Sequence, residues 1–387
     1  MFPRLPKLPR RVLLAVAYVY CLLIMVNRLS DVRQETEDQW EALRQDFVAR
    51  AARVRAGCSS NPPRPSKLQQ HALDAAHVSA HLSTHYHNMH LKAALKDIIY
   101  LPKHNLSWCL VPKVASTSWC KALLDLQGIT GDEYSYPPLQ VVLRQAFRPV
   151  EPSRVNTTIN ASLKFLFVRH PFQRLVSAFR NKLEDSNLQE DGAYFYKNYG
   201  RRIVQRFRKS KLDMRSAQAN EEIKTLGQGE LSGKKGEGID GGVGGKGEIK
   251  KDFIKTEEKI EEDYVEYRKE PTFEEYVDYL IDTDVDSYDE HWKPISRHCH
   301  VCEFPFDYII RYENFSDEIK YLVRVLQEGG RLPAKFHLQW ENRGGTDEDT
   351  TARYLSQVTQ HKLWLLYEKY HQDFLYFGYT IDDYIRS

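Results

Sequence analysis

The chain lacks a glycine-rich triphosphate loop. Ten of its 20 glycines crowd into residues 216–251, and no Gly-Lys pair is followed by Ser or Thr, which argues against nucleoside triphosphate chemistry of the usual kind. Excess charge is missing too: 55 Lys and Arg against 53 Asp and Glu leave a formal +2. No whole-molecule field therefore favours nucleic acid, and any polyanion must be met by a local patch. Long apolar runs are equally scarce. The clearest is VLLAVAYVYCLLIMV, Val12 to Val26, short for a bilayer span of roughly 20 residues.

What flanks that run gives it a direction. Arg4, Lys7, Arg10 and Arg11 precede it, Leu29 extends it, and Arg11 and Arg28 can snorkel. The pattern predicts a type II membrane protein: residues 1–11 a cytoplasmic tail, 12–29 a signal-anchor transmembrane helix, the rest luminal. A cleaved signal peptide shares the basic flank and short core, but no small-x-small cleavage site follows Val26 soon. Sequons at Asn105, Asn156, Asn160 and Asn314 suit a luminal address, although Asn105 lies close in sequence to the loop singled out below, which argues against a glycan there. Cysteines number only six, with Cys21 inside the apolar run. Cys58, Cys109, Cys120, Cys299 and Cys302 remain for an oxidising compartment, an odd set, and Cys58 is the candidate for an intermolecular bridge or a free thiol.

Residues 30–95 read as a stem. Trp40, Leu43, Phe47, Ala51 and Val54 recur at helical spacing, as a short coiled coil pairing two stems or a lone solvated helix would require. CSSNPPRPS then breaks the helix, and a histidine-rich stretch follows, including His81, His85, His87 and His90, without acidic or cysteine partners for a zinc site beside it. A compact folded domain is expected over 96–387, interrupted by the glycine-rich, flexible insertion 216–251. Strands at Leu106 to Val111, Lys164 to Val168 and Phe306 to Tyr312, each followed by a helix, predict an α/β fold. Its parallel sheet is flanked by helices and binds ligands beyond the strands' carboxyl ends.

Two of those strand ends carry chemistry. CLVPKVASTSWCKALLDL places Pro112, Lys113, Val114, Ala115, Ser116, Thr117 and Ser118 in a turn before a helix, where unpaired amides, an ammonium and hydroxyls suit an anion; an ordinary capped helix start reads the same way. KFLFVRHPFQRLVSAFRNK sets Arg169 at a strand end and Ser177 eight residues on, a second phosphate site unless Arg169 merely pairs with a carboxylate. Two such sites side by side describe a nucleotide phosphorylated at two separate positions.

PKVASTSW with FVRHPFQRLVSAFRNK resembles the donor-binding pair of the sulfotransferases. The chain is more narrowly similar to the Golgi carbohydrate sulfotransferases that include chondroitin and dermatan 4-O-sulfotransferases and the HNK-1 sulfotransferase. EHWKP at Glu290 to Pro294, the Cys299–Cys302 pair, DYIIRYENF, TDEDTT and YEKYHQDFLYFGY extend the likeness over roughly residues 96–384. The resemblance implies the sulfotransferase fold, with a P-loop-like strand-loop-helix. It assigns the 5′-phosphosulfate of 3′-phosphoadenosine 5′-phosphosulfate to Pro112–Ser118 and the 3′-phosphate to Arg169 and Ser177. No metal is required, since a phosphosulfate needs no ion bridging β- and γ-phosphates. Ser116, Ser118 and Cys120 stand where relatives often have cysteine, asparagine and lysine.

Lys113 is the expected electrophilic catalyst. His291 is the expected base, with His170 second and a packing role beneath Trp292 the bland alternative for His291. HCHVC, His298 to Cys302, favours disulfides, locally or to Cys109 or Cys120, over a metal or redox site. The basic run with Arg201, Arg202, Arg206, Arg208, Lys209 and Lys211, then Arg215, is a solvated face or a glycosaminoglycan contact, and Arg343 adds an acceptor contact by analogy. The C-terminal aromatics Trp364, Tyr367, Tyr370 and Phe374 read as core rather than as a sugar platform. The partners implied are a glycan acceptor, the Golgi membrane and a second copy through the stem.

Overall fold

Leu106–Cys109 (β2) and Leu163–Val168 (β3) are nearly continuous apolar runs because both faces of the sheet they form are covered. The computed structural model describes residues 10–76, 79–129, 139–187, 191–208, 269–338, 345–382 and 384. Its four-stranded sheet runs β1-β2-β3-β4, with β1 at Ile98–Leu101 and β4 at Tyr308–Arg311. The β2/β3 and β3/β4 pairs are parallel, with Trp108 opposite Phe165 and Phe167 opposite Ile310. The sheet is not wholly parallel, as the sequence suggested: β1 pairs antiparallel with β2, Ile98 opposite Cys109. A four-residue strand beside a four-residue turn carries too little pattern to be read locally.

Helices cover the sheet as their apolar faces require. Ser116–Asp125 (α4) follows β2, Leu139–Ala146 (α5) packs on α4, Pro171–Lys182 (α6) follows β3, and Phe315–Glu328 (α8) follows β4. A second apolar cluster lies between α6, Phe273–Asp282 (α7), Glu348–Leu355 (α9) and Gln360–Phe377 (α10), centred on Phe172, Phe179, Tyr276, Trp292 and Tyr370. Thr272 and Glu275 form a reciprocal cap at the start of α7, satisfying two otherwise unpaired amides.

The compact body begins well before Lys96. Helix α1, Arg10–Ser60, lays Phe47, Ala51 and Val54 into the main core, with Phe47 against Tyr308 and Tyr321 at ring separations of 5.4 and 5.5 Å. Burying side chains of this size stabilises by roughly 1.5–3 kcal/mol each. The stripe read as a stem-pairing coiled coil is thus consumed within the chain. Arg50, 3% exposed, is locked by Glu318, Asp46 and the Ile309 carbonyl. Gly57 lets the helix approach Tyr376, since a Cβ there would lie 2.6 Å from that ring. Lys67–Ala76 (α2) and Ala80–Leu95 (α3) pack on each other. Among the described residues, no helix is long and apolar enough to cross a membrane.

Cys58 is neither free nor an intermolecular bridge: it is bonded to Cys302, 244 residues away, while Cys109 is bonded to Cys299. Cys120 is buried and free, its thiol pushed well above the ordinary range by burial.

Candidate active site

A cavity of about 520 Å³ opens where β2, β3 and β4 end. Pro112, Lys113, Ala115, Ser116 and Thr117 line it from the turn after β2. That turn curls without glycine. Lys113 and Ala115 have φ of 72° and 65°, left-handed values that cost about 1–2 kcal/mol per residue. Fully buried Val114 pins the turn from below, and Arg174 of α6 donates from Nε to the Pro112 carbonyl at 3.0 Å. Ala115 occupies the cap position of α4 and offers no side-chain cap, so the helix start faces the cavity through Ala115, Ser116 and Thr117.

The Lys113 ammonium donates to Asn181 Oδ1 on α6. Burial, with Lys182, Arg169 and Arg174 nearby, lowers its pKa to about 7 against the pull of Asp191. Arg169, directly after β3, is 3% exposed and donates to the carbonyls of Lys113, at 3.3 Å, and Thr346. Its guanidinium carbon lies 4.2 Å from the centre of the Tyr312 ring, and its buried Nε has no hydrogen-bond partner. Burial lowers its pKa, with Tyr312 and Glu313 opposing. Ser177 lines the same space from α6, as do Arg180, Asn181 and Lys182. Arg180 donates to the Gly345 carbonyl at 2.6 Å and to Thr346 Oγ1 at 2.8 Å. Gln140, Tyr312, Gly345 and Thr346 complete the wall with His291. Lys113, Arg169, Arg180 and Lys182 therefore share one cavity whose described lining includes no carboxylate, although Lys182 is itself paired with Asp191 just outside that lining.

His291 sits in a polar relay. Its Nδ1 lies 2.6 Å from Asp289 Oδ1, and Asp289 Oδ2 accepts from Tyr199 at 3.1 Å. Phe195 meets the ring edge-on at 5.1 Å. Burial lowers its pKa, the bond to Asp289 resists, and Lys182 and Lys113 reinforce the drop. An imidazole oriented through Nδ1 and kept neutral presents Nε2 as a base. His170 cannot share that role, because its Nε2 contacts the Thr380 carbonyl at 2.9 Å and its Nδ1 accepts from Phe172 N as the cap of α6.

Sequence reasoning missed Arg174. This buried guanidinium joins the turns that carry Lys113 and His291: besides Pro112 it holds the carbonyls of Glu290 and Lys293, each at 2.7 Å, on either side of His291. Its place five residues after Arg169, in the first turn of α6, was visible, but not its inward direction. Gln140, Arg180, Asn181, Lys182 and Tyr312 were also missed: Arg180 to Lys182 end the quoted VSAFRNK segment and Tyr312 lies in DYIIRYENF, but which of a segment's side chains turn toward the cavity is set by packing.

A sequence profile described as the sulfotransferase family matches residues 96–228 and 238–380. The chain belongs to that family. Carbohydrate sulfotransferase 11 of Rattus norvegicus is 29% identical over 303 residues, 76% of this chain and 69% of the relative. The Mus musculus protein of the same name matches equally, and carbohydrate sulfotransferase 9 of Homo sapiens is 25% identical over 76% of this chain and 56% of its own length. No solved structure gives a significant match.

In this sulfotransferase the remaining predicted residues fall outside the cavity. Val114 and Ser118 are buried beneath the turn rather than lining it. Arg208 is turned inward, bidentate to Glu275 at 2.9 Å and bonded to the Glu270 carbonyl, so it presents no charge to an acceptor. Arg206 pairs with Asp282 at 2.7 Å, and Arg201 and Arg202 are exposed. A charge run shows no inward face until the helix is packed. Arg343, Lys209, Lys211, Arg215 and the 216–251 insertion lie outside the described residues. All four sequon asparagines are exposed. Asn105 precedes β2, at the end of the sheet away from the donor turn, so closeness in sequence does not mean closeness in space here. Tyr370 and Phe374 are core residues as expected, whereas Trp364 is 48% exposed.

Proposed function

We propose that the cavity binds 3′-phosphoadenosine 5′-phosphosulfate and that the enzyme transfers its sulfuryl group to a sugar hydroxyl. The observation that carries this reading is the clustering of four cations, two of them on strand-end turns, in a cavity lined by no described carboxylate. The family implies the same donor. In this assignment the α4 start, Lys113, Ser116 and Thr117 take the 5′-phosphosulfate, and Arg169 and Ser177 take the 3′-phosphate. The acceptor oxygen attacks sulfur as the bond from sulfur to the 5′-phosphate oxygen breaks, and its proton passes to His291 Nε2. Lys113 stabilises the charge gathering on the departing phosphate, and Arg174 keeps both turns in register.

For the acceptor we favour the 4-hydroxyl of N-acetylgalactosamine in chondroitin or dermatan, supported by the motif resemblance and the carbohydrate sulfotransferase names of the relatives. Arg201, Arg202, Arg206 and Arg343 are the proposed polyanion contacts. The proposed setting is a type II Golgi enzyme, anchored by 12–29 and glycosylated among Asn105, Asn156, Asn160 and Asn314. The α1 stripe is buried within the chain and so offers no face for pairing two copies.

Incubating the purified chain with sulfate-labelled donor and desulfated chondroitin, dermatan, glucuronic-acid-terminated and N-acetylgalactosamine-terminated oligosaccharides tests the reading. Label on chondroitin or dermatan, absent with Lys113→Ala, supports it; label on another glycan moves the acceptor, and label on none overturns it.

A further inference from the structure

Three side chains outside the active site converge where α3 meets the loop after Ile295–His298. His90, buried on α3, places Nε2 3.0 Å from Glu303 Oε2, and His300 places Nδ1 3.6 Å from Glu303 Oε1. One ligand atom from each lies within 4.8 Å of the others. Across a tetrahedral zinc with bonds near 2.0–2.1 Å, ligand atoms sit about 3.3 Å apart; the two histidine-to-carboxylate separations, one to each oxygen of Glu303, fall on either side of that spacing.

The outer contacts are those a metal site uses. Ser66 Oγ lies 3.3 Å from His90 Nδ1, leaving Nε2 for the carboxylate side, and Gln69 donates to Glu303 Oε1 at 2.8 Å. His300 holds a left-handed φ of 49°, uncommon for a residue with a side chain, so the loop presents its ring at a backbone cost. A cavity of about 40 Å³ bordered by Ser66, Gln69, His300 and Glu303 has room for one water as a further ligand. Neither segment carries a metal pattern alone, because the histidine-rich stretch has no acid beside it and the HCHVC cysteines are spent in disulfides.

We propose that His90, His300 and Glu303 bind a divalent transition metal, zinc in an oxygen- and nitrogen-ligand site, as a structural clasp. It fastens α3 to the loop that Cys299 joins to β2 and Cys302 joins to α1. The clasp is independent of the donor cavity and of the reaction proposed for it.

Zinc chloride is titrated into the full chain, purified in detergent without a polyhistidine tag and stripped with chelator, and followed by calorimetry and thermal unfolding. Cobalt chloride in parallel reports coordination from its visible absorption. The proposal expects one tight equivalent, a rise in Tm, and a cobalt spectrum of low coordination number. Glu303→Gln, which keeps the side chain's shape, should weaken binding at least about 10-fold and abolish the Tm rise while unfolding normally in chelator. Ala at His81, His85 and His87 together should leave the tight equivalent intact. No tight equivalent, one lost only in the triple variant, or one indifferent to Glu303→Gln would overturn the proposal and leave a set of His-carboxylate ion pairs only.

Discussion

Arg50 and Arg169 are each 3% exposed and serve the same sheet, yet their surroundings differ in kind. Arg50, behind β4, is met by two carboxylates and a carbonyl. Burial alone would lower its pKa, but the bonds to Glu318 and Asp46 win and raise it. Both have an aromatic ring nearby and a buried Nε without a hydrogen-bond partner, but Arg169, at the mouth of β3, donates to two carbonyls and, among the described residues, to no carboxylate; there burial wins and its pKa falls. A cation neutralised inside the fold serves stability. One kept among other cations is open to an anion that the fold does not supply, as the proposed donor would be.

That contrast can be broken in order of expected effect. Arg50→Met leaves Glu318 buried without its counter-ion, so chemical denaturation should show a loss of about 3–5 kcal/mol, with donor affinity per folded molecule unchanged. A coupled loss of affinity would erase the distinction. Lys113→Ala should lower kcat by about 10²–10³-fold with a normal unfolding midpoint, read by sulfate transfer and thermal denaturation.

The lowered Lys113 pKa, about 7, also fixes a pH dependence. A bound dianion favours the ammonium and raises that pKa, so binding takes up a proton between the free and bound values. Affinity for adenosine 3′,5′-bisphosphate should therefore fall as pH rises above about 7, by up to roughly tenfold per unit. Calorimetry in two buffers of different ionisation enthalpy should show the uptake, and Lys113→Ala should remove it. The smallest effect belongs to the turn: Ala115→Gly relieves a left-handed strain and should stabilise by up to about 1 kcal/mol without loss of transfer.

The parts of the site legible in the sequence were those built from one strand and the turn after it. Lys113, Ser116, Thr117, Arg169 and Ser177 each follow an apolar run within about ten residues, so local pattern places them at strand ends. His291 was legible through EHWKP alone. Arg174, Arg180 and Tyr312 were not, because which side of a helix or turn faces a cavity depends on what packs behind it. The same holds for α1: the stripe from Trp40 to Val54 was plain, but β4 and α8, more than 250 residues away in sequence, decide what it covers. Cys58 and Cys302 meet for that reason, at a separation no spacing rule spans.

The most direct test compares adenosine 3′,5′-bisphosphate with adenosine 5′-phosphate by calorimetry, in the native chain and in Arg169→Ala. The account predicts that the native chain prefers the bisphosphate by roughly 100-fold and that the preference collapses in the variant, which still binds the monophosphate. Equal affinity for the two nucleotides in the native chain, or a preference that survives loss of Arg169, would contradict it.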